Sequence, residues 1–80
     1  MVTPNFLTRD IDITRFSSFR TPARAEYFCA IRDESDIEKL PTIHRFATEA
    51  NLPVLWLGGG TNILFAFDAF HGVVVKNELR

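Results

Sequence analysis

The chain is poor in cysteine. Cys29 is the only one among 80 residues, so no disulfide can form within the chain, and the Cys/His spacing of a usual zinc site is absent. Flanked by Phe28 and Ala30, this thiol reads as a small buried hydrophobe, not a nucleophile. Charge of one sign is also lacking: 9 Lys and Arg stand against 10 Asp and Glu, with no basic run. A nucleic-acid surface held by counterion release is therefore not expected. No apolar stretch approaches the roughly 20 residues of a membrane-spanning helix. Residues 1–10 lack the charged start and apolar centre of a signal peptide. The expectation is a cytoplasmic protein with no membrane and no nucleic-acid partner. At this length it makes at most one small domain with a modest core.

Glycine is scarce as well, four in all, and three of the four are consecutive. Gly58, Gly59 and Gly60 follow the apolar run Pro53, Val54, Leu55, Trp56, Leu57, and are followed by Thr61 and Asn62. The run reads as a buried strand with both faces covered. A strand that enters three glycines bares main-chain N–H groups with no Cβ in front of them, which suits a phosphate seated on the backbone. Thr61 and Asn62 add a hydroxyl and an amide. Three glycines also make a simple tight turn, and on the glycines alone both readings stand. The P-loop is excluded, because no Lys follows the glycines. The dinucleotide fingerprint is excluded too, because Ile63 stands where its third glycine belongs.

Around this run the chain reads as strand, helix, strand, loop, strand. Residues 1–15 form an irregular lead with a short extended piece at 11–13. Ala25 to Ile31 is the first strand by its aromatic enrichment and near alternation. Ser35 with Glu38 fits a capping box that opens a helix. Ile37, Leu40, Ile43, Ala47 and Ala50 then recur at steps of three and four and mark its buried face. Pro41 in a helix interior costs about 3 kcal/mol, so the helix either kinks there or a second segment begins with it. Asn51 and Pro53 stop the helix. Residues 66–71 form a loop, and Gly72 to Asn77 is the last strand. Strand, helix and strand imply a crossover between parallel strands.

Leu57, the glycines, Thr61, Asn62, Ile63, Leu64 and Phe65, then Asp68, then Phe70 to Leu79, resemble UDP-N-acetylenolpyruvoylglucosamine reductase. That family shows L-G-G-G-S-N-L-L, a short acidic loop and G-x-V-I-x-N. Ser17, Ser18, Phe19 and Arg20 resemble its T-S-F-R element, and Ala25 to Phe28 its A-D-Y-F strand. The resemblance covers residues 14–80. It implies an α/β (α+β) fold, a β-α-β-β part of the FAD-binding domain of the vanillyl-alcohol-oxidase and p-cresol-methylhydroxylase type. Residues 16–80 would be a partial FAD-binding lobe. The implied cofactor is FAD, with NADPH as co-substrate and a UDP-sugar substrate in the complete enzyme of peptidoglycan synthesis. Position by position, it implies Leu57, Gly58, Gly59, Gly60, Thr61 and Asn62 as contacts to the FAD pyrophosphate.

Two departures stand out. Thr21, Pro22, Ala23, Arg24 and Ala25 replace the family's I-G-G-P-A, so that turn is rebuilt. Thr61 replaces the usual serine and keeps its hydroxyl. The resemblance places the proton donor, a serine or cysteine, and an arginine and glutamate in later parts of the family's chain, without counterparts here. No catalytic residue is therefore expected, and the chain reads as an incomplete, inactive portion. The other readings left open are a non-catalytic α/β module or remnant associating through an open sheet edge, and a lobe of another flavin oxidase. His44 reads as a solvated or partly packed helix side chain, His71 as a loop residue to which the resemblance assigns no role, and Arg20 as a surface residue. Glu34, Asp36 and Glu38 read as charges that complement a helix start.

Overall fold

The computed structural model describes residues 3–17, 20–58 and 68–79. Among the described residues, four strands form one mixed sheet, giving an α+β fold: β1 (Thr8–Asp12), β2 (Arg24–Ile31), β3 (Val54–Leu57) and β4 (Ala69–Asn77). Their spatial order is β1-β2-β4-β3. β1 is antiparallel to β2, whereas β2 and β3 both run parallel to β4. The strands on either side of the helical segment are thus parallel, as expected, but β4 lies between them.

β4 is central because Val73, Val74 and Val75 suit a strand covered on both faces, and all three have no exposed surface. On one face, Tyr27, Cys29, Ile31, Val73 and Val75 pack against Ile43, Phe46 and Ala47. The Tyr27 ring meets that of Phe46 edge-on at 5.2 Å. On the other face, Ala25, Phe28, Leu57 and Val74 pack with Ile13 and Ala23. A 3-10 turn, Thr14–Phe16, lays Phe16 flat on Phe28 at 5.5 Å.

The helical segment divides just before Pro41, so a second segment forms, as the second of the two sequence expectations has it, but it opens at Leu40. α1 is one turn, Glu34–Ile37, and α2 runs Leu40–Ala50 with the proline in its first turn. There the missing N–H costs nothing. Asn51 ends α2 in the left-handed region (φ 57°), a conformation that asparagine tolerates.

Five expectations are corrected. The cap of α1 is Asp33 paired with Asp36, not Ser35 with Glu38. Arg32 leaves β2 so that the Asp33 carboxylate meets the Asp36 amide, while the Ser35 hydroxyl donates to Asp33. Ile37 is exposed, because the turn between the helices breaks the phase of the apolar face; Phe46 is buried in its stead. The extended piece near residue 11 is a full strand beginning at Thr8. Its residues are mostly exposed, so backbone pairing forms it without an apolar alternation to announce it. β4 begins at Ala69, inside the expected loop. Finally, among the described residues β3 is the edge strand, and Trp56 is 59% exposed instead of covered.

Candidate functional site

β3 forms because Val54, Leu55, Trp56 and Leu57 suit a pleated, half-buried surface, and Pro53 stands just before it, where the ladder needs no donor from it. It pairs with β4 from Val54 opposite Val73 to Leu57 opposite Lys76. β2 pairs with β4 up to Ile31 opposite Asn77. The three parallel strands therefore end level with one another. Ligands of open parallel sheets bind outside such carboxyl ends.

Leu57 is 3% exposed and its side chain sits in the core with Phe28 and Val74. It anchors the strand end and leaves its main chain to reach outward. Gly58 is exposed, and among the described residues a β-carbon built on it would meet nothing within 4 Å. Gly59, Gly60, Thr61 and Asn62 lie outside the described residues.

A cleft of about 740 Å³ opens at the same strand ends, lined by Arg32, Asp33, Glu34, Lys76, Asn77, Glu78 and Leu79. Arg32 pairs with Glu78 at 3.0 Å. The Arg32 amide donates to the Asp36 carboxylate at 2.8 Å. That carboxylate also accepts from the Lys39 ammonium at 2.6 Å, and this bond, first among its partners, holds Asp36 below the ordinary carboxylate value of 3.8. From the sequence, Glu34 reads as a helix-start charge and residues 76–79 belong to the resembling block, but none of the cleft residues was expected in a site. Their signal was present but weak: the polar pairs Arg32–Asp33 and Lys76–Asn77 each end an apolar run, which marks strand ends without saying that the ends lie together.

The remaining candidates lie apart. Arg20 is exposed with φ 53°, and its amide donates to the Ser17 carbonyl at 3.1 Å. His44 is exposed on α2 and His71 is exposed on β4. Cys29 is 4% exposed, and burial pushes its thiol above the ordinary value. Among the described residues no group of His, Cys, Asp and Glu could hold a metal ion, and no helix is long and apolar enough to cross a membrane.

Comparison with known proteins now bears on this strand end. The curated UDP-N-acetylenolpyruvoylglucosamine reductase of Chromobacterium violaceum is 39% identical over 70 residues, 88% of this chain and 19% of that protein. Those of Burkholderia cenocepacia and Chlamydia pneumoniae are 40% and 37% identical over 91% and 89% of this chain. The chain belongs to the UDP-N-acetylenolpyruvoylglucosamine reductase family. It spans about a fifth of the length of the reductases it matches. No family model matches it. At this strand end stand the exposed Gly58 and, on the neighbouring strand, the cationic side chain of Lys76.

Proposed function

We propose that this chain forms the part of a reductase's FAD-binding lobe that receives the diphosphate of the cofactor, in a cytoplasmic, NADPH-dependent enzyme of peptidoglycan synthesis. The observation that carries this reading is the level end of three parallel strands, with β3 delivering the exposed Gly58 there. In this reading Leu57 fixes the start of the loop from inside the core. Gly58, Gly59 and Gly60 offer amides that a side chain would otherwise obstruct. Thr61 and Asn62 add a hydroxyl and an amide that accept or donate at the phosphate oxygens. The chain's contribution is binding and orientation; a flavin held there would supply hydride transfer from NADPH to the enolpyruvyl group of the UDP-sugar. The parts of the family's length that this chain does not match would complete the site for that transfer.

The test joins this chain to the portion of the Chromobacterium violaceum reductase that lies beyond its match. The hybrid is expected to purify with visible flavin absorbance and to oxidise NADPH only when the UDP-sugar is added. A Gly58→Val change should lose the flavin and keep the fold. A folded hybrid that stays colourless with added FAD would overturn the assignment.

A second reading, a self-associating α/β module, draws on a separate observation. Ile37, Trp56 and Leu79, exposed by 43%, 59% and 42%, border one apolar groove of about 210 Å³ beside the open edge of β3. Uncovered strand edges invite pairing with another chain. Sedimentation separates the two: a monodisperse flavin-free dimer favours the module, a monomer the lobe.

A further inference from the structure

Lys76 faces Leu57 across the ladder, one residue before Gly58. Its ammonium makes a long contact of 3.4 Å to the neighbouring Asn77 carbonyl and stands 5.6 Å from the centre of the Phe16 ring. The Arg15 guanidinium stands over the same ring at 4.7 Å. The ring is held in place, stacked on the buried Phe28 with only 10° between the planes. Two cations thus share one fixed aromatic support, within about 10 Å of each other, a screening length in dilute salt. An aromatic face attracts a cation through its quadrupole but carries no net charge to cancel it.

Among the described residues, neither cation forms an ion pair, whereas Arg24, Arg32 and Lys39 each meet a carboxylate. Of the carboxylates, Asp12 lies within electrostatic reach of Arg15 without forming an ion pair with it. Asp12 accepts from the Thr14 amide at 2.8 Å, Glu78 holds Arg32, and Asp33 caps α1. Lys76 thus stands at the strand end where the glycine run begins with no carboxylate paired to it among the described residues, while Arg15, on the same ring, has Asp12 within electrostatic reach.

We propose that Lys76, assisted by Arg15, supplies the counter-charge for a diphosphate seated at the Gly58 end of β3. This rests on the reading of residues 57–62 as a diphosphate loop and adds what that loop lacks. Glycine amides direct hydrogen bonds at phosphate oxygens but bring no net charge, and a diphosphate brings at least two negative ones. Lysine suits the role because its ammonium is a compact charge on a flexible stem and needs no fixed planar geometry. Its place on β4, fixed by the ladder, keeps the charge opposite Leu57, one residue before Gly58.

Inorganic pyrophosphate, and separately FAD, are titrated against the full chain and its Lys76→Gln, Lys76→Arg and Arg15→Gln variants. Backbone amide NMR signals of Gly58 and Lys76 are followed at low and high salt, with a thermal melt to establish that each variant folds. Pyrophosphate is expected to shift both signals. Lys76→Gln should weaken it about tenfold at low salt, the size of one charge-assisted hydrogen bond. Arg15→Gln should weaken it less, Lys76→Arg should retain most of the binding, and added salt should shrink these differences. Equal affinity in a folded Lys76→Gln chain overturns the proposal, as does a wild-type chain with no response to pyrophosphate. If Gly58 shifts alike in wild type and Lys76→Gln, the loop reading survives and the lysine's role falls. If Lys76 responds while Gly58 does not, the diphosphate-loop reading falls instead. Should Lys76→Gln not fold, the salt dependence of wild-type binding decides, and a salt-independent affinity overturns the proposal.

Discussion

A β-carbon built on Gly72 would stand 2.4 Å from the Pro53 carbonyl oxygen, 2.8 Å from the Phe70 ring and 2.9 Å from the Pro53 ring. The same carbonyl accepts the Val73 amide at 2.9 Å, so the contact is part of how β3 starts its pairing. Gly72 also lies where β4 carries one residue more than β2, between the pairs Ala25 with Phe70 and Tyr27 with Val73. A glycine is needed here for close approach at a bulge. Gly72→Ala is expected to lower stability by about 1–3 kcal/mol, the usual cost of overpacking, because backbone rather than a flexible side chain must move. Urea denaturation should show the midpoint fall with little change in slope. Gly58→Ala, which meets nothing, should leave the midpoint in place. The two glycines look alike in the sequence, each beside a run of apolar residues. What separates them is Pro53, which lies far from Gly72 along the chain.

At the scale of the element, α1 is too short to hold itself and depends on its cap. Asp36 accepts from the Arg32 and Asp33 amides at 2.8 and 3.4 Å, and from Lys39 at 2.6 Å. Its folded pKa is depressed below the unfolded one, with the Lys39 bond as the leading cause. The stabilisation is therefore complete above the ordinary carboxylate value and is lost as pH falls through about 4 and below. Melting temperature measured down the acid range should decline more steeply in wild type than in Asp36→Asn, which is expected to be less stable at neutral pH and flatter toward acid. Parallel acid limbs in the two proteins would contradict this role. That α1 begins near residue 34 was legible, because acidic and hydroxyl residues clustered before an apolar period. Which of two overlapping capping patterns operates was not. Ser35 with Glu38 and Asp33 with Asp36 have the same spacing, and the exit direction of β2 chooses between them. Pro41 was legible as a break for a local reason, its missing donor.

For the molecule as a whole, Cys29 reports on the integrity of the sheet. It lies in β2, packed under α2 among Tyr27, Ile31, Val73 and Val75, and burial raises its pKa. A thiolate reagent is expected to label it only when the sheet opens, at a rate matching global unfolding. Labelling much faster than unfolding would mean that α2 leaves the sheet on its own. The covered face toward α2 contrasts with the β3 edge, where Trp56 remains exposed. The apolar run of residues 53–57 reads as fully buried because its composition matches a central strand. Its place at the edge follows from β4 pairing with β2 and β3 at once, and composition does not encode neighbours.

The amino-acid sequence by itself determined the local elements and the glycine run at the end of β3. Those rest on periodicity, turn chemistry and the absence of a Cβ, which act over a few residues. Only the tertiary structure decided the order β1-β2-β4-β3, the open edge at Trp56, and the meeting of Lys76 with Leu57. Strand pairing joins residues distant in the chain through backbone hydrogen bonds. Those bonds are chemically the same whichever strand supplies the partner, so local sequence leaves the choice open until the whole core packs.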